Sequence, residues 1–390
     1  MKKTVLILLI CVLLAVSASA GAAYDQYKVK RGDAAYAFAW DFCPLDARNA
    51  VVIARTDKDV PWHVTWYRDG ELYRDLAGYI ADPFLEDGVI PRPVTWDGEH
   101  LTMIFSERQE AFRTIRDQQD HVVADPENYK SYMADWTEKG LEKISDLPED
   151  WYTAEDLGKV VIRYENDAFR ILINGNEKAI PGEVAHLPKY NVLNLECWPT
   201  GGDMFLLAYI SHDDFIQHVV CVDNGVKKYD TEIDPMESWL LLPDGNGGFF
   251  NRPDSSVTEP YDPIKLTHYS ADGKAERDME LKGDRVVLRL QGAAADPDGG
   301  ITLYGSAVAE SRQVYTVFTM KLDDTLKAAD LYVRNIDPTY SAYTPYMKAA
   351  PDGTVWVLIF TMNNAGYGRP VMIPFTELEK SEDAHGLMLE

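Results

Sequence analysis

His212 stands directly before Asp213 and Asp214, and Asp57 and Asp59 lie two residues apart. Such residues could move protons or cleave glycosides. Glycoside cleavage needs one protonated and one ionised carboxyl roughly 5 to 9 Å apart, and a histidine beside acids could shuttle a proton or hold a metal. With 63 Asp plus Glu in 390 residues, however, adjacent acids arise from composition alone. Asp296-Pro297-Asp298-Gly299-Gly300 sets oxygen ligands at alternate positions but lacks the third acid and distal Glu of a calcium loop. A plain turn is the preferred reading, and calcium bound there would be structural. No G-x-S-x-G, G-x-x-x-x-G-K-[ST], H-E-x-x-H or C-x-x-C segment occurs, so the local signatures of serine hydrolases, nucleotide hydrolases and zinc peptidases are missing. No catalytic residue, metal ligand or cofactor is assigned.

The acidic excess, 63 Asp plus Glu against 38 Lys plus Arg, repels nucleic acid and anionic lipid. Lys2-Lys3, an apolar run from Val5 to Val16 and small residues from Ser17 to Ala23 form the three regions of a signal peptide. That run is shorter than the roughly 20 residues that span a bilayer. Residues 1–23 are therefore expected to be removed and the mature chain to be secreted, extracytoplasmic, not membrane-spanning and monomeric. Cys43, Cys197 and Cys221 remain, too few for a disulfide scaffold, and buried or free thiols are expected.

A turn followed by a short β-branched or aromatic run recurs along the chain. Ala47-Arg48-Asn49 precedes Val51, Asp97-Gly98 precedes Leu101, and Leu157-Gly158 precedes Val160. Further copies are Gly201-Gly202-Asp203 before Met204, Asp244-Gly245 before Phe249, Asp298-Gly299-Gly300 before Ile301 and Asp352-Gly353 before Val355. The spacing averages about 51 residues, near that of a four-stranded blade with its connections. Second turns such as Arg68-Asp69-Gly70, Asp223-Asn224-Gly225 and Ala271-Asp272-Gly273 read as hairpins. Each unit thus reads as strands A to D, with these turns joining A to B and C to D.

The pattern, as in Ala350-Pro351-Asp352-Gly353-Thr354-Val355-Trp356, resembles the β-propeller superfamily. Ser270-Ala271-Asp272-Gly273 is similar to the start of the Asp-box turn of sialidase-like propellers, but no sialidase residue is carried over. The expected fold is all-β: a seven-bladed propeller of four-stranded antiparallel blades, six being the alternative, in a single domain over 24–390. The last blade lacks a good fourth strand, which Tyr27-Lys28-Val29-Lys30 would supply. Asp125, Pro126 and the spacing of Tyr129, Tyr132, Met133 and Trp136 predict an inserted amphipathic helix over 126–139.

In such a blade the B-to-C and D-to-A connections share one end, away from the Asp-Gly turns, and rigidly held loops there are where binding residues concentrate. These connections supply Arg55, Asp59, His63, Arg108, Trp151, His212, Asp213, Asp214, Arg252 and Tyr340. Mixed Arg, His, Asp and aromatic residues suit a glycan, a peptide or a protein ligand. The expected function is an exported, non-catalytic binding or interaction scaffold. The alternative is a carbohydrate-active or related hydrolytic enzyme using paired carboxylates at the same end.

Overall fold

The computed structural model describes residues 38–389 apart from 56–61, 70, 81–91, 97, 109–113, 117–121, 125–128, 138–139, 147–150, 154–159, 166–167, 174–175, 182–191, 201–203, 212–214, 239, 254–261, 297–299, 310–314, 337–344, 351, 363–367, 375–378 and 381–387. The chain divides into two compact units, the described residues within 1–81, 313–317 and 334–379, and those within 82–312, 318–333 and 380–390. Among the described residues the regular structure is almost wholly strand, and no helix is long and apolar enough to cross a membrane.

The first sheet runs Phe38–Pro44, Asn49–Arg55, Trp62–Arg68 and Glu71–Ile80, paired antiparallel in chain order. The same A-B-C-D meander recurs in the third sheet from Trp151 to Pro181 and in the fourth, Val192–Pro199, Met204–Ser211, Gln217–Asp223 and Val226–Ile233. It recurs again in the fifth, Leu240–Pro243, Phe249–Arg252, Ile264–Tyr269 and Ala275–Lys282, and in the sixth from Val286 to Ile336. An up-and-down four-stranded sheet repeated along the chain is the blade of a β-propeller, and this is a β-propeller chain. Strand B of the fourth sheet is buried on both faces, while its strand D alternates with exposed residues.

Among the described residues, the expected seven or six uniform blades are corrected to five uninterrupted four-strand blades. In the second sheet, Arg92–Trp96 and Leu101–Arg108 are separated from Tyr129–Thr137 and Gly140–Asp146 by an inserted hairpin, Thr114–Arg116 with Val122–Ala124. The last sheet has three described strands, Tyr346–Ala349, Val355–Met362 and Gly368–Pro374. The proposed closing strand at Tyr27 to Lys30 lies outside the described residues. The C-terminal segment contributes edge strands elsewhere: Glu379–Lys380 joins the sixth sheet, and Met388–Leu389 pairs with Leu281 and Lys282 of the fifth. Covering an outer strand in this way removes an open edge.

The predicted helix over 126–139 is a second correction. Residues Tyr129–Thr137 are strand C of the second sheet, with Ala134 and Trp136 buried and Asp135 and Thr137 half-buried between them. Period two therefore governs this segment. The excess length of the repeat is the hairpin in the B-to-C connection.

The turns that revealed the repeat are built alike. Leu45, Thr200, Asp244, Asp296 and Ala350 each donate their N–H to the carbonyl four residues on, at 2.7 to 3.0 Å. Asp46 and Asp244 then fold back on their own turns. Asp46 Oδ1 accepts from the N–H groups of Arg48 and Asn49, and Asp244 Oδ1 from those of Asn246 and Gly248. Between strands C and D of the fourth sheet, Asn224 and Gly225 take φ of 51° and 77°, the two left-handed residues of a type I′ hairpin.

These turns also join neighbouring sheets. In one unit, the Trp356 indole N–H donates to Asp46 O at 2.9 Å, and the Ala47 N–H to Asp352 Oδ2 at 3.0 Å. In the other, the Tyr229 hydroxyl donates to Gly247 O at 2.6 Å and the Thr231 hydroxyl to Gly273 O at 2.8 Å. Burial pushes the Tyr229 phenol far up, which keeps it a donor. The Asp-Gly end of each of these sheets is thereby committed to packing.

Cys43, Cys197 and Cys221 are buried thiols outside any disulfide. Cys197 lies opposite Leu207 and Cys221 opposite Leu206, so the two project from opposite faces of the fourth sheet and do not pair. Burial raises the Cys197 thiol well above its ordinary range and Cys221 to about 11. All three are expected to resist a chromogenic thiol reagent in the folded protein and to react on denaturation. Rapid reaction of Cys197 or Cys221 under native conditions would contradict this packing.

Candidate functional site

The fourth sheet shows most fully what its B-to-C and D-to-A end presents. After strand B the chain turns back sharply, with the Ser211 N–H donating to Ile216 O and the Phe215 N–H to Ser211 O, both at 2.9 Å. Phe215 is held at a φ of 58°, a left-handed conformation that bulky residues rarely take. It is 61% exposed. At the same end, strand D leads into a single 3-10 turn, Pro235–Glu237, capped by Asp234, whose Oδ1 accepts the Met236 N–H at 2.9 Å. Met236 at its apex is 74% exposed.

Just inside this end, His218 on strand C lies opposite buried Tyr209, with the rings stacked at 5.0 Å and 10°. Its Nδ1 is 2.9 Å from Asp230 Oδ1, and Lys227 Nζ is 3.5 Å from the other carboxylate oxygen. The hairpin around Asn224-Gly225 brings Asp230 back beside His218. A stacked, carboxylate-held imidazole is a fixed polar group suited to orientation.

Of the four large apolar side chains exposed among the described residues, Phe215, Met236 and Tyr346 lie at the B-to-C and D-to-A ends of their own sheets. Tyr346 opens strand A of the last sheet, and only Val226 sits at a C-to-D turn. None of these three was singled out from sequence.

Five of the sequence-derived residues lie within strands. Arg55, Arg108 and Arg252 are the last residues of strand B in the first, second and fifth sheets, and His63 is the second residue of strand C in the first. Trp151 opens strand A of the third sheet opposite Arg163, so it belongs to a strand and not to a D-to-A loop. All five stand at or near the end of their own sheet opposite the A-to-B turn. Asp59, His212, Asp213, Asp214 and Tyr340 lie outside the described residues.

The opposite end of the fifth sheet contains a different cluster. His268 is buried, with Nε2 3.1 Å from Asp244 Oδ2 and Nδ1 3.0 Å from Glu276 Oε2, and its ring packs 4.7 Å from that of Phe250. Both nitrogens are engaged, so the group anchors the A-to-B turn to strands C and D. The segment considered for calcium has its Asp296 carboxylate 2.5 Å from Lys321 Nζ. Asp298 lies outside the described residues, and among those described no three His, Cys, Asp or Glu side chains cluster as metal ligands.

No protein-family model and no curated relative matches the chain. Among solved structures it is similar to the dihydro-heme d1 dehydrogenase NirN in complex with DHE, at 12% identity and a TM-score of 0.37 over 89% of this chain and 75% of that one. It is also similar to the intramolecular trans-sialidase from Ruminococcus gnavus in complex with oseltamivir carboxylate, at 12% identity and a TM-score of 0.35 over 92% and 95% of the two chains. A third is regucalcin, a calcium-binding protein from Agrobacterium tumefaciens, at 10% identity and a TM-score of 0.27 over 72% and 95%.

Proposed function

We propose that the chain is an exported, non-catalytic β-propeller scaffold that binds a glycan or peptide at the B-to-C and D-to-A ends of its blades. The observation that carries this reading is a division of labour between the two ends. The Asp-Gly turns are engaged in hydrogen bonds to neighbouring sheets. The opposite ends carry Phe215, Met236 and Tyr346 exposed, with Arg252 ending strand B of the fifth sheet. Exposed aromatic and thioether groups beside polar neighbours give a ligand apolar contact with hydrogen-bonded orientation. No described geometry favours the hydrolytic alternative, whose acid pairs Asp57–Asp59 and Asp213–Asp214 fall outside the described residues.

Glycan and peptide arrays probed with the purified protein test the proposal. A hit is expected to weaken at least about tenfold, roughly 1.4 kcal/mol, in Phe215→Ala. Asp272→Ala, at a C-to-D turn where Lys274 and the Ser270 hydroxyl hold the carboxyl below its usual range, should leave the hit unchanged. Equal loss in both variants, or loss only in Asp272→Ala, would place the ligand elsewhere.

A further inference from the structure

We propose that the fifth sheet carries a second binding site, a groove over its outer strands for a small zwitterion of the dipeptide class. The register builds it. Asn251 pairs with Thr267 and Thr267 with Asp278, forming one cross-strand row, and Lys265 pairs with Glu280 in the next. Residues opposite one another share a face, as do residues two apart on a strand. Over this face lies a cleft of about 410 Å³ lined by Pro253, Lys265, Thr267, Asp278 and Glu280, with Leu266 and Met279 contributing to its floor.

Its charges are arranged for a ligand bearing both signs. The Thr267 hydroxyl donates to Asp278 Oδ1 at 2.8 Å, which orients that carboxylate and leaves Oδ2 available. Glu280 is engaged by Lys282 Nζ at 3.2 Å, and the exposed Lys265 opposite it has no partner among the described residues. Lys265 and Asp278 are diagonal across two strands, a separation of about 7–8 Å. Two extended residues reach about 7 Å, so a dipeptide could set its carboxylate on Lys265 and its ammonium on Asp278.

The site lies beside strands C and D and does not depend on the binding reading above. Calorimetric or NMR titration of the whole protein with glycyl-leucine, and with its N-acetyl and C-amide forms, tests it. Glycyl-leucine should bind saturably, and blocking either end should weaken it at least about tenfold, as loss of a charge-assisted hydrogen bond does. Lys265→Gln and Asp278→Asn should weaken it similarly, while Phe215→Ala should leave it unchanged. Both substitutions are on the surface, and if either fails to fold, the blocked ligands decide the question. The proposal is overturned if glycyl-leucine binds no better than its blocked forms, or binds both variants as it binds the wild type.

Discussion

Replacing His268 with alanine is expected to destabilise the protein by about 3 kcal/mol, the upper end of the cost of leaving a buried acceptor without its hydrogen-bond partner. Asp244 is nearly inaccessible, and its Oδ1 is already taken by the N–H groups of Asn246 and Gly248. The imidazole is the described partner of Oδ2 and also fills space against Phe250. Gly248 sits against the same carboxylate. A Cβ there would lie 2.5 Å from Asp244 Oδ2, so the turn has no room to rearrange. Glu276 is more than half exposed, and Glu276→Gln should cost under about 1 kcal/mol. Urea denaturation monitored by tryptophan fluorescence gives both values. A His268→Ala midpoint equal to that of the wild type, at unchanged slope, would show that the cluster does not hold the turn.

The second large effect is expected at Gly292, where strand A of the sixth sheet bulges between Leu290 and Gly292. Gly292 faces Tyr304, which is buried, and a Cβ at 292 would fall on the edge of the tyrosine ring and its hydroxyl. Gly292→Ala must push that ring out of its packing, at a cost of about 1–3 kcal/mol. Combined with Tyr304→Ser, it should cost less than the sum of the two single changes, since the two sites share one space. Additive destabilisation of the double variant would mean that the ring is not what excludes a side chain at 292.

Turn chemistry was the most legible part of the fold. Strand B begins at or within two residues of each expected start, from Asn49 in the first sheet to Val355 in the last. Asp and Gly at these turns are demanded by local backbone geometry, which depends only on neighbours in sequence. The segment 129–137 was misread because Tyr129, Tyr132, Met133 and Trp136 fall at i, i+3, i+4 and i+7 and mimic a helical stripe, although the strand buries Ala134 and Trp136 at alternate positions. The inserted hairpin was hidden by the same error.

The candidate site was legible in position more than in composition. Arg55, Arg108 and Arg252 stand at the ends of strands where the repeat places them. Phe215 was missed because its exposure comes from a left-handed turn with no distinctive sequence signal, whereas the Asp234-Pro235 cap ahead of Met236 is a readable signal that was passed over. His218 and Asp230 lie beyond the irregularity at Cys221–Val222, so the Asn-Gly hairpin alone does not fix their pairing. The Asp244–His268 pair depends on pairing across the long B-to-C connection of the fifth sheet, and the Lys265–Asp278 groove on the register shift at His268–Tyr269 beside the Asp272-Gly273 hairpin; no local pattern encodes either.

Hydrogen exchange of the protein with and without an array hit tests most directly whether ligands bind at the B-to-C and D-to-A ends. Protection is expected in peptides covering 211–217, 234–238 and 252–253, where Phe215, Met236 and Arg252 lie. Protection confined to the turns at 45–49, 244–248 and 270–274, with those segments unchanged, would contradict the account.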